Sequence, residues 1–114
     1  MHIDSYSFGS MTVDGEAYSS DLIVFPEKVV ANWRRSEGHS LAPGDLREVF
    51  SYAPEVLVVG MGASACMRIP QETRRLIADK KIELKDMDTA SAWPVFNELA
   101  KKGVKVAGAF HLTC

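Results

Sequence analysis

The chain is short of the features that would name its chemistry. It has only two cysteines, Cys66 and Cys114, in 114 residues. Two such distant cysteines make no disulfide framework, so both read as free thiols, with a bridge between them as the alternative. No C-x-x-C or H-E-x-x-H pattern occurs. A zinc centre needs four ligands, or three and a water, at clear spacing, so no metal site is expected from His39, His111 and Cys114. Neither charge sign dominates: 13 basic and 15 acidic side chains leave a net charge of -2. The basic footprint of a nucleic-acid binder is missing, and no nucleic-acid partner is expected. Long apolar runs are missing too. The longest, 57–61 and 106–110, fall far short of the ~20 residues of a membrane helix. The opening Met1-His2-Ile3-Asp4 has no basic segment before an apolar stretch, so no targeting peptide is expected and the location reads as cytoplasmic.

What is present is ordinary globular material, 46% hydrophobic and 25% charged. Its length fits one domain, 1–114, large enough to bury roughly 65% of the unfolded surface.

The first third reads as strands. Ser10-Met11-Thr12-Val13, Asp14-Gly15 and Glu16-Ala17-Tyr18 form a hairpin signal, because Gly takes positive φ freely and Asp tolerates it. Leu22-Ile23-Val24-Phe25 is a short strand ended by Pro26. Val29, Ala31 and Trp33 alternate with Val30, Asn32 and Arg34, and this period with its β-branching predicts a further strand with Trp33 on its buried face. Residues 36–46 carry the Gly and Pro of a loop, and Asp45 is expected to cap a short helix bearing Leu46, Val49 and Phe50.

The remainder reads β-α-β-α-β. The continuous apolar run 56–59 predicts a strand buried on both faces. A helix starts near Pro70, then a strand carries Ile82 and Leu84. A second helix covers 89–101, with Asp88, Thr89 or Ser91 as cap. Pro94 favours Ser91, because a start at Thr89 would leave a backbone bond unmade. The last strand alternates Val104, Val106, Gly108, Phe110 and Leu112 against Lys105, Ala107, Ala109 and His111. The fold class that follows is α/β: a three-layer single domain with a central mixed β-sheet, packed helices and an N-terminal β-hairpin layer.

Two stretches compete as functional sites. Gly60-x-Gly62-x-x-Ala65 follows a buried strand and matches a relaxed dinucleotide fingerprint. The helix begins five residues too late to bring its N-terminus to a pyrophosphate, so the motif reads as a tight strand-exit turn. An anion-binding nest of backbone N–H groups is the alternative. Ser64 and Cys66 miss the nucleophile elbow, which needs Gly at the last position, and read as small packing residues. The second stretch, Trp33-Arg34-Arg35-Ser36-Glu37-Gly38-His39, places hot-spot residue types at the end of a strand. Its bland reading is a core tryptophan beside solvated or paired arginines.

Trp33-Arg34-x-x-x-Gly38-His39, Gly60-Met61-Gly62, Phe96-Asn97-x-Leu99 and His111-Leu112-Thr113-Cys114 occur in an order that resembles one family. It is the small α/β domain family that includes the mitochondrial NADH:ubiquinone oxidoreductase (complex I) assembly factor 3, an adipogenesis-associated protein and uncharacterised bacterial and archaeal single-domain proteins. The resemblance spans nearly the whole chain. It implies a three-layer fold with a central mixed sheet; it brings no established enzymatic activity and no accepted catalytic set, and no cofactor is expected. Met61 departs from the Thr common between the two glycines, which weakens a hydroxyl-based ligand role there. The leading expectation is a non-enzymatic interaction or complex-assembly protein with another protein as partner. Trp33, Arg34 and His39 would form its surface. The alternative is a small-molecule or anion-binding protein, or an enzyme, using Gly60, Gly62 and Ser64 with Arg34, His39 or His111. Self-association through a sheet edge is a third reading.

Overall fold

The computed structural model describes residues 1–114. The hairpin forms as expected. Strands β1 (Ile3–Ser7), β2 (Ser10–Val13) and β3 (Glu16–Tyr18) make an antiparallel sheet. Asp14 and Gly15, at φ 48° and 80°, supply the two positive-φ positions of its tight turn. Next come β4 (Leu22–Phe25), β5 (Lys28–Val30), a 3-10 turn (Pro43–Leu46), α1 (Arg47–Tyr52), β6 (Val56–Met61), α2 (Gln71–Asp79), β7 (Glu83–Met87), α3 (Thr89–Lys101) and β8 (Val106–His111). The second sheet has the order β5-β4-β8-β6-β7. β6 is parallel to β7 and β8, and β4 is antiparallel to β5 and β8.

The layers follow from the crossings. The chain steps outward from β6 to β7 through α2, then back across β6 to β8 through α3. If both crossovers are right-handed, as such connections nearly always are, the helices must lie on opposite faces. The cores agree. Ile77 of α2 packs with Leu57, Val59, Ala107 and Ala109 on one face. Ala92 and Phe96 of α3 pack with Val56, Val58, Val106 and Phe110 on the other, joined by Ile3, Met11 and Val13 of the small sheet. The small sheet and α3 thus share one layer. Asn97 fastens them, accepting the Ile3 N–H at 2.9 Å and donating to the Ile3 carbonyl at 2.7 Å.

Three expectations need correction. The strand predicted to reach Trp33 stops at Val30, because Asn32 turns to φ 56°. Trp33 is still buried, but as a loop residue packed against Phe25, Leu41 and Leu46. Asp45 does not cap α1. It sits inside the 3-10 turn, where its carboxylate accepts the Ala42 and Ser36 N–H groups. The cap of α3 is Asp88, whose carboxylate accepts from Ser91 N–H and Oγ. Pro94 therefore lies inside the helix. It is tolerated because Ala90, whose carbonyl loses that bond, is exposed to water as Pro94 is. The central strand of the larger sheet is β8. All six of its residues are buried, the polar His111 included.

Candidate functional site

Parallel strands β6 and β8 end at the same edge of the sheet, with Met61 opposite His111. Open α/β sheets bind ligands at this edge, beyond the carboxyl ends of the strands. Two loops meet there. The glycine loop leaves β6, and the segment 33–41 crosses from the β5 side. The loops are stitched together where Arg68 N–H donates to the His39 carbonyl at 2.8 Å and Leu41 N–H to the Arg68 carbonyl at 2.9 Å.

The glycine loop is held closed by its own backbone. Gly62, at φ 101°, passes so close to Cys114 that a Cβ would lie 2.3 Å from the Cys114 carbonyl oxygen. A Cβ on Gly60 would meet Thr89 Oγ1 at 2.8 Å. Thr89 is a buried hub: its hydroxyl accepts the Gly62 N–H at 2.9 Å and donates to the His111 carbonyl at 2.6 Å. Ala63 N–H donates to the Thr113 carbonyl, Ala65 to Gly62, Cys66 to Cys114 and Met67 to Met61. The donors that an anion nest would need at Gly62, Ala63, Ala65, Cys66 and Met67 are therefore spent inside the protein. The exposed Ser64 sits on the outer surface of this turn.

Beside the loop lies a buried polar cluster. His111 Nδ1 is 2.8 Å from Asp21 Oδ2 and 3.0 Å from Arg35 Nη2. One ring nitrogen cannot both donate and accept, and an arginine only donates. Nδ1–H therefore donates to the carboxylate, and Arg35 Nη2 pairs with the same carboxylate oxygen at 2.9 Å. Asp21 Oδ1 accepts the Leu112 N–H at 2.8 Å. Arg35 also donates Nε and Nη2 to the Gly38 carbonyl, and its guanidinium stacks over the Trp33 ring at 4.8 Å. Burial pushes the Asp21 carboxyl up, but the bonds from His111, Leu112 and Arg35 together outweigh it and hold the group below its ordinary value. Burial, with the Asp21 and Asp88 charges behind it, pushes Tyr6 up; its hydroxyl donates to the Leu112 carbonyl at 2.9 Å. His111 Nε2 and Arg35 Nη1 are buried without a partner.

The proposed residues therefore divide. His39, His111, Gly60, Gly62 and Ser64 gather at the strand ends. The His39 and His111 rings stand edge to face, 5.8 Å apart, and Cys114 Sγ is 3.5 Å from His39 Nε2. Trp33 and Arg34 belong to the other flank. Trp33 is 6% exposed, so its indole is a pedestal beneath the loop and not part of a free surface. Its Nε1 donates to the Asp45 carbonyl at 2.9 Å, and its backbone N–H to the Asp21 carbonyl at 2.8 Å. Arg34 is exposed. It lines an open cleft of ≈ 340 Å³ with Val30, Asn32, Asp45, Arg47 and Glu48. A smaller opening of ≈ 200 Å³ continues past Asn32 to Ser20 and Asp21.

Sequence reasoning passed over Asp21 and left Arg35 among the solvated or paired arginines of the 33–39 stretch, where the pairing with Asp21 bears out the second option. Arg35 carried one signal: it is two residues from the buried Trp33 and points with it towards the interior. Asp21 carried none beyond standing immediately before an apolar strand.

The architecture is a small α/β domain in which a mixed sheet separates two helical layers, one completed by a small antiparallel sheet. Residues 3–111 match the family described as a protein of unknown function, DUF498/DUF598. The chain belongs to that family. It is similar in structure to a conserved hypothetical protein from Pyrococcus horikoshii, at 24% identity and a TM-score of 0.84, covering 100% of both chains. It is similar to an outer membrane protein from Bartonella henselae, at 25% identity and a TM-score of 0.85, covering 98% of this chain and 94% of that one. It is also similar to a Mth938-like domain from Bordetella pertussis, at 23% identity and a TM-score of 0.77, covering 97% and 85%. No helix of the chain is long and apolar enough to cross a membrane.

Proposed function

We propose that this domain is a non-enzymatic protein-interaction module, of the complex-assembly kind that the sequence resemblance implies. Its recognition face is the flank carrying Asn32, Arg34 and Arg47. The observation that supports this most is the rigid presentation of Arg34. The residue before it is buried and bonded at both its indole and its backbone N–H, and the residue after it is locked into the Asp21 pair. Arg34 is thus an exposed guanidinium on a segment that loses little freedom on binding, which lowers the ordering cost of an interface. Arginine at such a position suits an acidic partner surface, because its planar fork pairs with carboxylates in two bonds at once. Two unbridged cysteines fit the reducing interior of a cell, and the cytoplasm is the compartment assigned here.

The test is co-purification from the native cell of the wild type and of an Arg34→Glu, Arg47→Glu variant with an unchanged thermal midpoint. A stoichiometric partner kept by the wild type and lost by the variant is the expected result. A partner held equally by both would remove this face from consideration. No partner with either protein would favour the small-molecule reading.

A further inference from the structure

Cys66 and Cys114 are both exposed and neither is bridged. They are nevertheless neighbours, because Cys66 N–H donates to the Cys114 carbonyl at 3.2 Å. A backbone bond between two residues brings their α-carbons to about the 5.5 Å of a hydrogen-bonded strand pair. That lies inside the span of roughly 4.4–6.8 Å that a disulfide bridges. The sulfurs now point to different partners. Cys66 Sγ is 4.0 Å from the Ser64 carbonyl, and Cys114 Sγ is 3.5 Å from His39 Nε2. Both side chains reach solvent, so each can turn about χ1 without disturbing the core. His39 distinguishes the two thiols, since only Cys114 has an imidazole within proton-transfer reach.

We propose that Cys66 and Cys114 form a reversible redox pair, oxidised by hydroperoxides, with Cys114 as the attacking thiol, His39 as its proton acceptor and Cys66 as the resolving thiol. The first step passes the Cys114 proton to His39 Nε2, and the thiolate attacks the terminal peroxide oxygen. An S–O bond forms and the O–O bond breaks. The departing hydroxide (or alkoxide) recovers the proton from His39. In the second step the Cys66 sulfur attacks the Cys114 sulfenic acid. The S–S bond forms, the S–O bond breaks, and the hydroxide leaves as water with the Cys66 proton. Two thiols are oxidised and one peroxide is reduced. The product staples the segment beyond β8 to the glycine loop, where Ala63 and Cys66 N–H groups already hold Thr113 and Cys114.

The experiment treats the whole protein with one equivalent of hydrogen peroxide and reads intact mass and non-reducing peptide maps. The expected result is loss of two hydrogens, an intramolecular Cys66–Cys114 peptide, and full return on adding dithiothreitol. Cys66→Ser should stop at a Cys114 sulfenic acid that dimedone traps. His39→Gln, with its thermal midpoint checked, should slow oxidation about a hundredfold, the lower end of what a positioned base contributes. Thiols that stay free, or bridges only between separate chains, would overturn the pairing. A sulfenic acid found first on Cys66, or a His39→Gln rate equal to wild type, would overturn the roles assigned to Cys114 and His39.

Discussion

Arg34 and Arg35 are adjacent in the chain and occupy opposite regions of the molecule. Arg35 turns inward, with 4% of its side chain exposed, and joins Asp21, His111 and the Trp33 ring. Arg34 turns outward over an open cleft. The inner region ties the 33–41 segment to the central strand, so its energy goes into fixing the loop. The outer region has no such bonds and is free to spend its charge on a partner. The comparison teaches that a charged stretch need not be read as one patch. In this segment, alternate residues hold the surface and form it.

The two regions should respond to mutation very differently. The largest effect is expected at Asp21→Ala, which leaves the Arg35 guanidinium buried without its partner. Breaking such a pair costs about 3–5 kcal/mol, to be read by urea denaturation. Replacing both Asp21 and Arg35 with apolar residues of similar volume should recover much of that loss, and failure to recover it would show that the cluster carries more than its own pairing. Next comes Gly62→Ala. Its Cβ would strike the Cys114 carbonyl at a positive φ, and a loss of roughly 2–3 kcal/mol is expected from the strained backbone alone. Thr89→Val should cost about 2 kcal/mol, because it strips the buried Gly62 N–H of its acceptor.

Acid sharpens the same contrast. The unfolded Asp21 carboxyl titrates near 3.8 and the folded one lower. The Asp21 contribution is therefore complete above that value and is lost as the pH falls through the folded pKa. Wild-type stability should fall more steeply below about pH 4 than that of Asp21→Asn, by about 1.4 kcal/mol for each unit separating the two pKa values. Equal slopes for the two proteins would remove the carboxylate from the account.

The regular elements were legible because their signals are local. Asp14-Gly15 fixes a hairpin by backbone conformation, and the run 56–59 fixes a strand by its unbroken burial. Where a tertiary contact decides, local rules misled. Pro94 pointed to a later start for α3, but the exposed Ala90 bears the lost bond at little cost. The alternation along 104–112 carried no sign of a central strand, yet all of Val106–His111 is buried once both faces of the sheet are covered. The site was half legible for the same reason. The glycines, His39 and His111 stood out by residue type. The Asp21–His111 pair spans 90 positions of chain, and no spacing rule reaches across that distance.

The most direct measurement compares Arg34→Ala and Arg35→Ala in parallel urea denaturations. The division of the segment predicts a loss within about 0.5 kcal/mol for Arg34→Ala, as for a surface residue. It predicts a loss of about 3 kcal/mol or more for Arg35→Ala, which strands the buried Asp21 carboxylate. Equal losses would contradict the division between an inner region that holds the loop and an outer one left free to bind.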